Sequence, residues 1–207
     1  MDALTEAETA VLSTALLAWW ERHGRGGIPW KQLPGGARPA PEQDLDPYGI
    51  WIAEVMLQQT QLAVALPYWT RWMAAFPTVE ALAAASLDAV RLNWQGLGYY
   101  ARARRLHEAA QRLVGGPWPR SLEEWMALPG IGRTTAGSIL SSAFNAPLPI
   151  LDGNVKRVLA RVTAHPRPPA RDDALFWCWS EALLDPCLLY TSPSPRDRTR
   201  SRMPSSA

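Results

Sequence analysis

Apolar positions recur along this chain at the three-and-four-residue spacing of an amphipathic helix, and the two-residue alternation of a half-buried strand is nearly absent. Thr5 with Glu8 forms a capping-box signature ahead of an apolar-periodic stretch running to about Trp20. Residues 24–46 are rich in glycine and proline and read as loop, with an insertion-like stretch over 32–46. Asp46 and Pro47 supply the cap and first residue of a helix to about Gln59. A second helix fits 61–75 and stops at Phe76-Pro77, after which Thr78 and Ser86 each cap a short helix. Residues 99–114 give another, closed by Gly115-Gly116. Ser121 with Glu124 is a second capping box, for a helix ending near Leu128. The tight turn Leu128-Pro129-Gly130-Ile131-Gly132-Arg133 leads into a helix over 133–143. An apolar link from Pro147 to Leu151 precedes Asp152 and a helix to about Thr163, and a last helix fits 170–184. The pattern predicts an all-α protein.

Composition narrows the classes. With 47% hydrophobic and 19% charged residues in 207, a packed core is within reach and global disorder is excluded. No apolar run approaches the roughly 20 residues of a membrane helix. The N-terminus MDALTEAETA is acidic and polar, unlike a secretory signal. The expectation is a cytoplasmic protein without membrane contact. Two cysteines, Cys178 and Cys187, make neither a disulfide framework nor a four-ligand metal site.

Charge is unevenly placed. The chain has 21 basic and 19 acidic residues, but Arg196, Arg198, Arg200, Arg202 and Asp197 fall in the last twenty, leaving 17 basic and 18 acidic in the body. That tail is dominated by Ser, Pro and Arg and reads as disordered. An argument for nucleic acid must therefore rest on local clusters.

Four segments can carry chemistry. Glu54 shares a helix face with Ile50, Trp51, Leu57 and Gln58. A carboxyl on a mostly apolar face is costly to ionise, which suits a general acid, although a glutamate at the rim paired with an arginine has the same spacing. Asp152 stands at a helix start, where Asp is a favoured cap and the dipole stabilises its anion. One proton donor and one lasting anion are what cleavage of a sugar–heteroatom bond requires. The turn 129–133 places two glycines and Arg133 before a helix, a fit for an anion or an ordinary helix–helix turn. Lys156, Arg157 and Arg161 follow Asp152, and a phosphate clamp beside a sugar-directed carboxylate suggests a nucleic-acid backbone. Gly96 to Arg105 joins a flexible turn, Tyr99, Tyr100 and three arginines, suited to stacking on bases or to an amphipathic helix. Gln58-Gln59-Thr60 can contact bases or end a helix. Most of the eleven tryptophans belong in a core.

Taken together, Pro29-Trp30, Glu54 to Gln61, Phe76-Pro77-Thr78, Gly96 to Arg104, Leu128 to Arg133 and Ile150 to Arg161 closely resemble the MutY family of adenine DNA glycosylases. The resemblance covers about residues 10–186 and implies the helix–hairpin–helix DNA glycosylase fold, two helical lobes with a catalytic groove between them. A six-helix lobe would span 31–150 with its hairpin at 128–133, and 1–30 with 151–187 would form part of a second, iron–sulfur-type lobe. The implied reaction is hydrolytic removal of adenine mispaired with 8-oxoguanine or guanine in double-stranded DNA. The implied setting is a monomer at the nucleoid of a bacterial-type cytoplasm. Residue by residue, Glu54 matches the acid that protonates the adenine ring, Asp152 the carboxylate that stabilises the sugar, and Asn154 a supporting residue. Gln59 and Tyr99 match residues that wedge into the duplex, so that the flipped base is favoured. Gln58, Arg102, Gly130, Gly132, Arg133, Thr134 and Lys156 are the further expected DNA contacts, and Trp30 with Leu57 the adenine pocket. Thr134 stands where the related endonuclease III group has a Schiff-base lysine, and a hydroxyl cannot form an imine. An endonuclease III-like glycosylase/lyase and a DNA-binding fragment without catalysis are the alternatives.

The chain departs from that family at its end. The family carries a [4Fe-4S] cluster on four cysteines after the Asp helix, and a nudix-like domain that recognises oxidised guanine. Neither set of residues is present, and Cys178 and Cys187 lack the spacing. The expectation is a truncated family member with unrelated sequence over 188–207, an incomplete second lobe and reduced solubility.

Overall fold

A computed structural model describes residues 4–184, apart from 26, 38 and 41. Ten α-helices follow in order: α1 (Glu6–His23), α2 (Pro47–Met56), α3 (Leu62–Ala75), α4 (Val79–Ala84), α5 (Leu87–Trp94), α6 (Ala101–Leu113), α7 (Leu122–Met126), α8 (Arg133–Phe144), α9 (Gly153–Val162) and α10 (Asp173–Ala182). Short 3-10 turns occupy Pro29–Lys31 and Pro169–Arg171. No strand occurs among the described residues, as the all-α pattern predicts. Seven helices, α2–α8, fill the stretch over which six were expected.

The start signals operate as their chemistry dictates. Thr5 and Ser121 close reciprocal capping boxes with Glu8 and Glu124. Asp46 accepts from the Tyr48 N–H, with Pro47 behind it. The side chains of Thr78 and Ser86 accept from the N–H groups of Ala81 and Ala89. Two ends differ from expectation. α2 stops at Met56 rather than Gln59, because Gln59 turns into the left-handed region at φ 59°. α10 starts at Asp173 rather than 170, because Pro169 to Arg171 closes a separate 3-10 turn.

α2 is the centre of the molecule. All ten of its residues are buried, as befits a helix apolar on every side. It packs against α3, α6, α8 and the 29–31 turn. Ile50, Trp51, Ile52 and Met56 are at most 1% exposed, each burial contributing about 1.5–3 kcal/mol. Six of the eleven tryptophans are buried, Trp30, Trp51, Trp72, Trp94, Trp125 and Trp179. Trp51 lies in edge or tilted contact with Trp118 and Trp125, and Trp72 lies edge-on to Phe76 and Trp94.

The apolar interior falls into two clusters. The larger begins at Ile28 and Trp30 and runs through α2–α8. The smaller holds Leu151, Leu159, Phe176 and Trp179, between α9 and α10. α1 buries none of its residues. The 32–46 stretch is strapped to the larger body: the Leu45 N–H donates to the Ala143 carbonyl, and Asp44 pairs with Arg120 at 2.9 Å. Cys187 and the 188–207 tail lie outside the described residues.

Candidate active site and nucleic-acid interface

Glu54 is the only carboxylate of α2 and is 3% exposed. One turn on, the Gln58 amide Nε2 donates to Thr135 Oγ1 at 3.3 Å, in the first turn of α8. Beside it, Thr134 Oγ1 donates at 3.2 Å to the carbonyl of Leu151, the residue before Asp152. Ser180 Oγ holds the preceding Ile150 carbonyl from α10 at 2.9 Å. The start of α8 therefore ties the Glu54 helix to the Asp152 turn. Asp152 caps α9: its Oδ1 accepts from the N–H groups of Asn154 and Val155 at 2.9 and 2.8 Å. The two carboxyls stand in opposite surroundings, one enclosed in the core and the other half-exposed in an N–H cradle at a positive helix end.

The 128–133 turn stands next to them. Ile131 is 6% exposed and anchors it, while Gly130 and Gly132 are exposed. Gly130 has φ 81°, and a Cβ there would come within 3.0–3.1 Å of the Arg105 side chain. Backbone conformation and close approach both demand glycine. Gly132 caps α8 with no capping side chain. Backbone amides at such an end are oriented toward an anion.

Two further turns lie where α2 ends and where α6 begins. Gln59 is exposed with φ 59°, and Tyr99 is 66% exposed with φ 48°. Left-handed backbone costs a non-glycine residue about 1–2 kcal/mol, and such strain concentrates at functional positions. Gly96 at the base of the second turn has φ 101° and lies against Tyr68, whose hydroxyl would be 2.1 Å from a Cβ.

Several expected DNA contacts are engaged by partners within the chain. Arg102 is 8% exposed. Its Nη1 donates to the carbonyls of Val55, Met56 and Gln58, and its Nη2 to those of Leu97 and Gly98. Burial pulls this guanidinium below its usual value, but a guanidinium remains charged. The Gln58 amide serves α8 rather than a base. Arg133 pairs with Glu181 at 2.9 Å and stacks on Trp177 at 3.9 Å. Lys156 pairs with Asp173 of α10. The Thr134 hydroxyl is engaged by Leu151. Sequence displays these charges and amides without their direction: carbonyls at helix ends engage Arg102 and Thr134, a hydroxyl engages Gln58, and carboxylates of α10 engage Arg133 and Lys156. Asn154 supports Asp152 through its backbone N–H. Trp30 and Leu57 are 6% and 8% exposed and belong to the larger core cluster, with Trp30 tilted against Trp69 at 5.2 Å. Sequence reasoning missed Thr135, which sits beside Thr134 at a helix start, and gave no sign that Arg105 of the 96–105 segment packs against Gly130.

Four cysteines are needed to hold an iron–sulfur cluster of the expected kind. The chain has two, and Cys178 lies exposed on α10. No group of three or more His, Cys, Asp or Glu among the described residues is placed to hold a metal. The residues present do not fit the cluster, and no chemistry is routed through one.

Comparison with known proteins places the chain in a family. Adenine DNA glycosylase of Homo sapiens is 43% identical over 188 residues, 87% of this chain and 33% of that protein. The enzyme of the same name from Buchnera aphidicola subsp. Baizongia pistaciae (strain Bp) is 41% identical over 156 residues, 74% of this chain and 41% of its own. The chain thus spans about a third of the length of the curated mammalian relatives it matches. Among solved structures, a thermostable thymine-DNA glycosylase superimposes with a TM-score of 0.71 at 23% identity, over 84% of this chain and 77% of that one. A non-covalent endonuclease III–DNA complex does so with 0.59 at 20%, over 85% and 84%. These structural likenesses establish the fold. No helix among the described residues is long and apolar enough to cross a membrane. The family model for HhH-GPD superfamily base excision DNA repair proteins matches residues 52–179, from the middle of α2 through α10. With its glycine hairpin set between a buried glutamate and a helix-capping aspartate, this chain belongs to the HhH-GPD superfamily of base excision DNA repair proteins.

Proposed function

We propose that this chain removes adenine mispaired with 8-oxoguanine or guanine from double-stranded DNA, by hydrolysis of the N-glycosidic bond. The observation that carries the reading is the linkage of Glu54 to Asp152 through Gln58–Thr135 and Thr134–Leu151. Adenine DNA glycosylases as relatives support the choice of base.

Glu54 gives its proton to a ring nitrogen of the flipped adenine. The bond from the base to C1′ then breaks, and its electron pair leaves with adenine. Asp152, whose Oδ1 accepts from the N–H groups of Asn154 and Val155, stabilises the cationic sugar. Water adds to C1′ and returns its proton to the Glu54 carboxylate, which restores the acid. Gln59 and Tyr99 fill the space the base leaves. The amides at Gly130 and Gly132 grip a phosphate. Trp30 and Leu57 border the base beside Glu54. Thr134 offers a hydroxyl, committed to Leu151, where a lyase needs an amine. A single copy of the chain suffices for these roles, and a site of action at a bacterial-type nucleoid agrees with them.

Single-turnover release of adenine from a duplex with adenine opposite 8-oxoguanine tests this reading. Release by the wild type and its loss in Glu54→Gln are expected. Borohydride trapping on abasic-site DNA should yield only trace cross-linking. DNA binding without release overturns the catalytic reading, and strong trapping overturns the hydrolytic one.

A further inference from the structure

The two turns that carry Gln59 and Tyr99 are separated by about forty residues in the chain and meet on one side chain. Arg102 is that side chain. Its Nη1 donates at 3.0, 3.0 and 2.6 Å to the carbonyls of Val55, Met56 and Gln58, which end α2. Its Nη2 donates at 3.0 and 3.3 Å to those of Leu97 and Gly98, which precede α6. Its guanidinium carbon lies 5.5 Å from the Tyr99 ring centroid and 5.2 Å from that of Trp94. Trp94 Nε1 in turn donates to the Gly98 carbonyl at 2.9 Å.

The residues just beyond these carbonyls, Gln59 and Tyr99, are the exposed pair with left-handed backbone at this face. Strained turns persist only where their surroundings over-determine them. A planar fork is able to satisfy two diverging sets of carbonyls at once, whereas an ammonium on a flexible stem gathers its donors on one nitrogen. The two terminal nitrogens of the fork serve different turns, so loss of either turn loosens the other.

We propose that Arg102 is a positioning residue that couples the 56–59 turn to the 97–99 turn, so that Gln59 and Tyr99 enter the duplex as one unit. The role in the duplex rests on the glycosylase reading above; the coupling itself does not. Arg102 touches neither the base nor the sugar. It sets the relative height of the two wedges, and with it the stability of the flipped adenine.

Hydrogen exchange and single-turnover kinetics of the full chain test the proposal together. In Arg102→Ala, backbone amides of both turns are expected to lose protection in step, while those of α8 and the Trp72 region of α3 keep theirs. In Arg102→Lys, which keeps the charge, one turn is expected to regain protection and the other not. Adenine release opposite 8-oxoguanine should fall about 100-fold in Arg102→Ala, of the order seen when a positioning contact is lost. On a duplex with an abasic site opposite adenine, where no partner base is displaced, the loss should shrink to a few-fold. A loss equal on both duplexes, protection lost in one turn alone, or full rescue of both turns by lysine overturns the proposal. Should Arg102→Ala fail to fold, the lysine variant decides by the same exchange pattern. Should the wild type release no adenine, the glycosylase reading fails, and the exchange pattern alone decides the coupling.

Discussion

The two apolar clusters differ in what they demand of their neighbours. The larger closes on itself: α2 is buried on every side, and Trp51, Trp72, Trp94 and Trp125 are at most 1% exposed. The smaller rests on Leu151, Leu159, Phe176 and Trp179, with Leu4, Val155 and Leu175 at its edge. α1 runs beside it, with a contact from Ser13 Oγ to the Leu183 carbonyl, and buries nothing. Glu54 belongs to the first body. Asp152 follows Leu151 of the second. The proposed proton donor thus sits in the large body and the proposed anion at the edge of the small one, with Thr134 and Ser180 holding the carbonyls of Leu151 and Ile150. The difference teaches where the proposed activity is vulnerable: it would need both bodies, and the small one rests on four buried residues.

The strongest test of that division is Glu54→Gln. It should slow adenine release by about 10²–10⁴-fold, with the thermal midpoint little changed, because the amide matches the carboxyl in size and shape. A lowered midpoint and a modest rate loss would make Glu54 a structural residue. Asp152→Asn comes next. Asn caps helices about as well as Asp, so stability should hold while release falls by about 10²–10³-fold, the worth of a transition-state charge contact. A fall in α9 protection would instead show that the cap, not the charge, was lost.

Large-to-small changes separate the bodies themselves. Trp→Ala in a core costs about 3–5 kcal/mol. Trp72→Ala should lower the midpoint of the whole chain. Trp179→Ala should release amide protection over 153–182 alone and slow adenine release, leaving α2 protected. Simultaneous loss in both bodies would end the distinction. Gln59→Gly is a smaller effect of opposite sign. Relief of the left-handed backbone should raise stability by up to about 1 kcal/mol, while the loss of its side chain slows release.

The smallest effect concerns acid. The Glu124 carboxyl accepts from the Arg120 and Ser121 N–H groups and is held below the usual carboxylate range. Glu8 is held low in the same way by the Thr5 N–H. A depressed carboxyl contributes stability above its unfolded value and loses it as pH falls through the folded one. Protection at the starts of α7 and α1 should therefore fade below the ordinary carboxylate range, before the larger body unfolds. Glu124→Gln should remove this dependence at α7.

Much of this was legible from residues alone. The caps at Thr5, Asp46, Thr78, Ser86, Ser121 and Asp152 act locally, and each is found where its sequence signature places it. Helical spacing placed Glu54 on an apolar face but left a position at the rim equally open, and the structure encloses it. What sequence did not reveal was direction. Arg102 reads as one basic residue of a basic helix, yet it turns into the protein because five carbonyls of two turns converge on it. Lys156 and Arg133 likewise face α10 because Asp173, Glu181 and Trp177 meet them there. Those partners are distant in sequence, and local pattern holds no record of them. The left-handed turns at Gln59 and Tyr99 escaped for the same reason, since tertiary contacts impose a backbone that neither residue prefers.

The central claim is that Glu54 and Asp152 act on one bond from two bodies, and a double-variant cycle of single-turnover adenine release measures it most directly. Groups that serve one transition state lose rate non-additively. Glu54→Gln combined with Asp152→Asn should be little slower than the worse of the two single variants. Rate losses that multiply, or one variant that leaves release at the wild-type rate, would contradict the account.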